Sequence, residues 1–388
     1  MPLSRSNCIA ILQHLVATTL AADRGITENE LLLDTQASDH LRDGPAALDS
    51  LDELAVARRV TEFFELERTG AEEWLLRRHR LSEWSELICD NLNDGTLEQI
   101  WFRSGGTTGE PRLVAQRLSH LLAEVHEIRE IVGNTRRIIA LVPLQHIYGF
   151  IWGPLLSDEL NLPLICGWEA VEEAHHNLQA GDLLLAVPEW WQYFGSALHS
   201  LPPGVIGVTS TAPCPPEVVQ AALDKRLETM IEVYGASDTG GIAWRTETGI
   251  GFQLFRHWKR QDDDHLVSDA GTVGLLPDHV EWQSERTLIP LRRRDEAIQV
   301  GGVNVWPERV RAFIESHPGV QACSVRQMAT DHGTRLKAFI VARHPGNDGL
   351  KAELRDWLKA NLSAAERPIN LTLGDALPTN AMGKLCDW

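Results

Sequence analysis

Basic residues are scarce in this chain: 36 Lys and Arg stand against 54 Asp and Glu, for a formal net charge of -18. Nucleic-acid binding needs clustered cations to neutralise phosphates, so the deficit argues against such a partner. No apolar run approaches the length of a membrane helix, so no membrane span is expected. Met1–Cys8 carries no apolar signal region ahead of a small-residue cleavage site. The six cysteines (Cys8, Cys89, Cys166, Cys214, Cys323, Cys386) are scattered, and no Cys-x-x-Cys pair occurs. Neither a zinc site nor a disulfide framework is suggested, and a reducing, cytoplasmic setting is expected. The Gly-x-x-x-x-Gly-Lys-Ser/Thr spacing of a Walker loop is missing. Internal repeats and low-complexity tracts are missing too.

What is present is the composition of a globular protein, 43% hydrophobic and 23% charged. Its 388 residues leave room for about two or three domains. The organising stretch is Phe102–Arg112, where Ser104, Gly105, Gly106, Thr107, Thr108 and Gly109 follow a short apolar strand, Ile100–Phe102. Glycines permit close approach and positive φ, so such a loop can turn N–H groups and hydroxyls toward phosphate oxygens; taken alone, it is equally an ordinary turn between strands.

Periodicity predicts helices over Ile9–Leu20, Leu51–Leu66 and Trp74–Leu92, and thus a helical segment over 1–98. Within it, Leu48-Asp49-Ser50-Leu51 is similar to the attachment motif of acyl carrier proteins. Ser50 and Glu53 also read as a capping box, which explains the same residues without a prosthetic arm. Residues 99–294 alternate between strands and helices. The strands are Arg137–Val142, Leu160–Ile165, Asp182–Val187, Val205–Thr209 and Met230–Tyr234; the helices are Leu118–Val132 and Pro216–Leu227. An α/β unit with a mainly parallel sheet follows, with ligands at strand ends. Asp262–Asp264 reads as an exposed turn. Residues 295–388 read as a small α+β unit: strands Ala297–Val300, Ala322–Arg326 and Leu336–Ala342, helices Pro307–Ser316 and Leu350–Leu362.

Four ordered motifs then join. Ser104–Arg112 resembles the phosphate loop Ser/Thr-Gly-Thr-Thr-Gly-x-Pro-Lys of the adenylate-forming superfamily. Tyr234-Gly235-Ala236-Ser237-Asp238 resembles its Tyr-Gly-x-Thr-Glu. Arg293-Arg294-Asp295 with Gly301-Gly302 resembles its hinge and following loop, and Lys384 within Pro-Thr-Asn-Ala-Met-Gly-Lys resembles its C-terminal catalytic lysine. The resemblance implies an adenylate-forming fold with a shortened N-terminal core and a small mobile α+β lid. It implies ATP and Mg²⁺ as cofactors, with Ser104, Gly105, Gly106, Thr107, Thr108, Gly109, Ala212, Tyr234, Gly235, Ser237, Asp278 and Arg293 holding the nucleotide. Asp238 and Thr108 would hold the metal; Lys384, Asp238 and His146 would be catalytic. His146, Tyr148, Phe150, Trp190 and Trp191 would take a flat acid, although the same aromatics read equally as core. Asp295 would be the hinge, and Gly301 and Gly302 would line a pantetheine tunnel. Departures from the pattern are Arg112 for lysine, Asp238 for glutamate, and Leu276-Pro277 for the Thr-Gly before Asp278.

The chemistry needs these residue types. A carboxylate attacking the α-phosphate meets like charge, which a metal and a lysine must neutralise. The shortened layout, Pro-Glu-Trp-Trp at 188–191, Thr-Ser-Thr-Ala-Pro-Cys-Pro-Pro at 209–216 and a Gly-Lys-Leu-x-x-Trp ending resemble aryl-acid ligases of bacterial aryl polyene and xanthomonadin-type pigment clusters. The expected activity is adenylation of a hydroxybenzoate or hydroxycinnamate and its transfer to the phosphopantetheine thiol of an acyl carrier protein. Coenzyme A as acceptor, and a degenerate adenylate-binding scaffold, stand as alternatives.

Overall fold

The computed structural model describes residues 3–24, 28, 31–32, 39–43, 47–104, 112–197, 200–330, 333–344, 349–378 and 386–388. The chain divides into two compact units, one from residues 1–104 and 113–291, the other from 105–112 and 292–388.

In the first unit, helices α1 (Arg5–Arg24), α2 (Ser50–Phe64) and α3 (Leu81–Asn93) precede strands β1 (Gln99–Ser104) and β2 (Arg112–Arg117) and helix α4 (Leu118–Val132). The expected helix over Trp74–Leu92 is broken: a turn at Glu72–Leu75 ends before α3 begins. Trp84 satisfies the break by donating its indole N–H to the carbonyls of Leu75 (3.0 Å) and Arg78 (2.9 Å). The capping box of α2 also differs from the expected one. Asp49 is the N-cap, accepting from Leu51 and Asp52, and Asp52 reaches back to Asp49. Ser50 is exposed in the first turn. Glu53 turns inward instead and binds Arg42 (2.7 and 2.8 Å) and His79 (3.1 Å).

The central sheet has nine strands in the order β13-β14-β9-β8-β7-β6-β5-β3-β4. They are β3 (Arg137–Ala140), β4 (Leu164–Cys166), β5 (Asp182–Ala186), β6 (Ile206–Thr209), β7 (Thr229–Ala236), β8 (Gly240–Arg245), β9 (Phe252–Leu254), β13 (Asp278–Trp282) and β14 (Thr287–Arg293). Short strands β10 (Trp258–Arg260), β11 (His265–Ser268) and β12 (Val273–Leu275) form a separate antiparallel sheet. Only half of the large sheet is parallel. β4, β3, β5, β6 and β7 run together, while β8, β9 and β14 are antiparallel. The reason is connection length: β7 and β8 are joined by a tight turn, which only an antiparallel pair allows. Leu160–Ile165 gives strand only from Leu164, because the preceding helix runs to Leu160 and ends at Asn161 (φ 52°).

Alternation along the strands separates two cores. Ile138, Ala140, Leu183 and Leu185 face one cluster; Ile139, Leu184 and Ala186 face the other. Helix Pro188–Ala197 (α6), with Gly167–His176 (α5) before it and Pro216–Asp224 (α7) after it, packs on the second face. The first face is covered by the helical run 147–160 and by α1–α3. Right-handed crossovers place connections to opposite sides when the strand order reverses, as it does at β3. The reversal leaves a crevice at the carboxyl ends of β3 and β5.

The second unit has its own core, from Val300 to Leu371. A hairpin of β15 (Ile298–Val300) and β16 (Val303–Val305) leads into α8 (Pro307–Glu315). A three-stranded sheet of β17 (Val320–Thr330), β18 (Gly333–Ala342) and β19 (Asn370–Gly374) packs with α8 and α9 (Leu350–Asn361).

Candidate active site

Of the residues expected around a nucleotide in the first unit, Ser104, Tyr234 and Gly235 stand at the ends of β1 and β7, Ala212 and Ser237 follow β6 and β7, and Asp278 begins β13. β7 ends in Tyr234-Gly235-Ala236, and its register against β8 shifts between Tyr234 and Gly235. Such a bulge bends a strand and re-aims its side chains. The Tyr234 hydroxyl donates to Asp278 Oδ2 at 2.7 Å, and its ring lies 5.9 Å from that of Phe252. Two residues far apart in sequence, linked only by motif and spacing, are therefore in direct contact. Ser237 is half-buried and Asp238 exposed in the turn to β8. Ala212 follows β6, next to Thr211 at φ +77°, a conformation that strains a β-branched residue. Ser104 is half-buried at the end of β1. Gly105, Gly106, Thr107, Thr108 and Gly109 lie outside the described residues, as does Lys384.

Among the described residues no three His, Cys, Asp or Glu side chains gather as a ready-made metal cage. Mg²⁺ does not need one: it is commonly held by one or two carboxylates, with substrate phosphates and water completing six oxygens. An exposed Asp238 is a hard oxygen donor of that kind, so the donor chemistry fits.

The aromatic set is divided by the sheet. His146 is exposed at the start of the 147–150 turn. Tyr148 is buried and donates to the carbonyls of Val208 (3.0 Å) and Ala186 (3.4 Å), at the ends of β6 and β5. Burial pushes its phenol well above the ordinary value, so it remains a donor. Phe150 packs edge-on against Phe63 (5.8 Å) and Phe102 (5.5 Å) in the first core. Trp191 is buried in the second, donating to Val208 O at 3.2 Å. Trp190 lines a cavity at the end of β3 with His14, Val142, Pro143 and Gly167. His14 carries no motif and was not singled out from sequence. It is buried with Nε2 unpaired, and burial, with His146 nearby, holds its pKa down to about 3. Arg59 of α2 was missed as well: buried, it shares Glu62 with Arg103, the neighbour of Ser104. A helical period marks both residues as inward-facing but says nothing of what they meet.

In the second unit Arg293 grips Asp295 by two bonds of 2.8 Å. Burial pushes the Asp295 carboxyl up, but the guanidinium outweighs it and the pKa lies below the usual carboxylate range. Gly301 and Gly302 form the two-residue turn of the β15–β16 hairpin at φ +58° and +76°. Positive φ at both positions is what a type I′ turn demands and what glycine supplies without strain.

Residues 310–384 match the family model of the AMP-binding enzyme C-terminal domain. The chain is 34% identical over 390 residues to a 4-coumarate–CoA ligase of Halorhodospira halophila, covering 99% of each chain. A 3,4-dihydroxybenzoate–[aryl-carrier protein] ligase of Bacillus anthracis is 24% identical over 73% of this chain and 71% of its own. Among solved structures, the amide bond synthetase of Marinactinospora thermotolerans superposes over 97% of this chain and 92% of its own, with a TM-score of 0.62 at 18% identity. With the fold, the end-to-end similarity and the C-terminal domain in agreement, the chain belongs to the adenylate-forming (AMP-binding) enzymes and is an AMP-forming ligase of aryl or acyl acids.

Proposed function

We propose that this ligase activates a hydroxycinnamate-type acid with ATP and passes the acyl group to the pantetheine thiol of coenzyme A. The observation that carries this is the end-to-end similarity to a relative named 4-coumarate–CoA ligase. In this reading Tyr234 stacks on adenine, while Asp278 and Arg293 hold the ribose hydroxyls. Ser104, Thr107, Thr108 and the loop glycines cradle the phosphates. Mg²⁺, when bound by Asp238 and Thr108, supplies charge neutralisation for the pyrophosphate leaving group. Lys384 adds a compact positive charge to the transferring group. His146 stands beside the carboxylate, and Tyr148 and Trp190 give the ring aromatic surface at the carboxyl ends of the strands. Rotation about Asp295 then exchanges Lys384 for the Gly301-Gly302 turn, whose missing side chains leave room for pantetheine.

A carrier protein as acceptor is the second reading. It is favoured by the pigment-cluster motifs and by the carrier-protein ligase among the relatives. The test is ATP–pyrophosphate exchange with 4-coumarate, 4-hydroxybenzoate, 3-hydroxybenzoate and a fatty-acid series, followed by thioester formation with coenzyme A or a holo-carrier. Exchange restricted to hydroxyaryl acids is expected. Silence across the whole panel would overturn the assignment in favour of an adenylate-binding scaffold.

A further inference from the structure

Strand β2 continues into α4, and side chains of this segment grip the backbone of the turn that carries Asp238. Gln116 Nε2 donates to the Ser237 carbonyl at 2.7 Å. In the first turn of α4, His120 Nε2 lies 3.2 Å from the Thr239 carbonyl; a carbonyl only accepts, so the proton is on Nε2. A further turn on, Glu124 Oε2 accepts from Gly241 N–H at 2.8 Å. All three side chains are buried. Gly241 is held on its other side by the Trp258 indole, which donates to its carbonyl at 2.9 Å. A Cβ on Gly241 would lie 2.3 Å from Glu124 Oε1, so this close approach requires glycine.

The spacing is regular on both partners. Residues 116, 120 and 124 stand four apart, and the groups they hold belong to residues 237, 239 and 241, two apart. Asp238 therefore sits between two residues whose carbonyls are each held by a buried side chain. The ring of buried His257 packs edge-on to His120 at 5.1 Å.

We propose that Gln116, His120 and Glu124 are positioning residues for Asp238, fixing the height and orientation of its carboxylate for the metal–nucleotide complex. The inference rests on the metal role assigned to Asp238 above. It goes beyond that role by assigning the placement of the carboxylate to side chains from the end of β2 and from α4, none of which belongs to the nucleotide motifs. Residues that orient a metal-binding carboxylate through hydrogen bonds commonly change metal affinity about ten- to a hundredfold when removed.

The experiment uses the full chain as wild type and as Asp238→Asn, Glu124→Ala, Glu124→Gln, His120→Ala, Gln116→Ala and Phe63→Leu. Mn²⁺ binding to the protein–ATP complex is measured by electron paramagnetic resonance, and the Mg²⁺ dependence of pyrophosphate exchange is measured in parallel. Glu124→Ala and His120→Ala are expected to weaken Mn²⁺ binding and raise half-saturating Mg²⁺ by about tenfold or more, with exchange largely restored at saturating metal. Glu124→Gln, whose amide oxygen still accepts from Gly241, should remain near wild type. Phe63→Leu should lower the melting temperature without moving the metal dependence. A Glu124→Ala protein that is less stable but unchanged in metal binding overturns the proposal. Should that variant fail to fold, Gln116→Ala decides by the same measurement. If Asp238→Asn leaves metal binding intact, the metal role of Asp238 falls, a result distinct from failure of the row.

Discussion

Glu124 is a carboxyl enclosed by protein. Burial pushes its pKa up to about 7, against the opposing pull of His257 and the Gly241 N–H, while Glu127 adds to the rise. The folded state thus holds this proton more tightly than the unfolded chain, whose value is 4.5. The associated stability is complete below that lower value and is lost as pH climbs to about 7, roughly 3 kcal/mol in all. Glu124→Gln removes the loss. Its advantage in urea unfolding should therefore grow between those two pH values and stay constant above; parallel curves for the two proteins would refute this. Lys384 is a residue of another kind, placed by motif alone. Lys384→Ala should cut pyrophosphate exchange by about 10²–10³-fold, the cost of losing one charge-stabilising donor. It should leave the melting temperature unchanged and still permit thioester formation from supplied acyl-adenylate. At this scale the motifs could be read as expectations, because phosphate loops and metal carboxylates demand particular side chains. His14, Arg59 and Glu124 were not, since a buried polar residue on a helix acquires its role only from what packs against it.

Among the elements, α2 shows how a local motif is settled by neighbours. Ser50 with Glu53 and Asp49 with Asp52 are both acceptable caps by spacing. Arg42 and His79 bind Glu53, whereas Arg24 binds Asp52 at 2.6 Å and leaves it facing the Asp49 backbone. Asp49→Ala should then lower the midpoint of thermal or urea unfolding and Ser50→Ala leave it almost unchanged; the reverse order would restore the serine cap. The β15–β16 turn makes a functional prediction. Gly302→Val places a branched side chain at φ +76° in the element assigned to the pantetheine path. Thioester formation should fall by at least about tenfold more than pyrophosphate exchange, as expected when only one of two conformational steps is obstructed. Equal losses would place the turn outside that path.

At the level of the whole molecule, the described helices of residues 1–98 share their core with the rest of the first unit. Leu12, Leu15, Val60 and Phe63 belong to the same cluster as Phe102, Phe150, Leu185 and Ile231. Rings from α2, β1 and the 147–150 turn meet at 5.5–5.8 Å. Phe63→Ala should cost about 3–5 kcal/mol and shift the unfolding of the whole first unit, not of the helices alone. Calorimetry would show this as one displaced transition; a separately melting helical segment would contradict it. The second unit, with a core of its own, is expected to keep its transition.

The sequence by itself determined the enzyme class, the order of the nucleotide motifs and most elements, because loop chemistry and apolar periodicity are local properties. Only the tertiary structure decided that the sheet turns antiparallel after β7 and that Phe150 and Trp191 lie in opposite cores. It also decided that Tyr234 meets Asp278 and that α4 holds the turn around Asp238. Each of those outcomes depends on pairing between residues distant in the chain, where one residue of register or one strand's direction changes every neighbour. No local pattern carries that information.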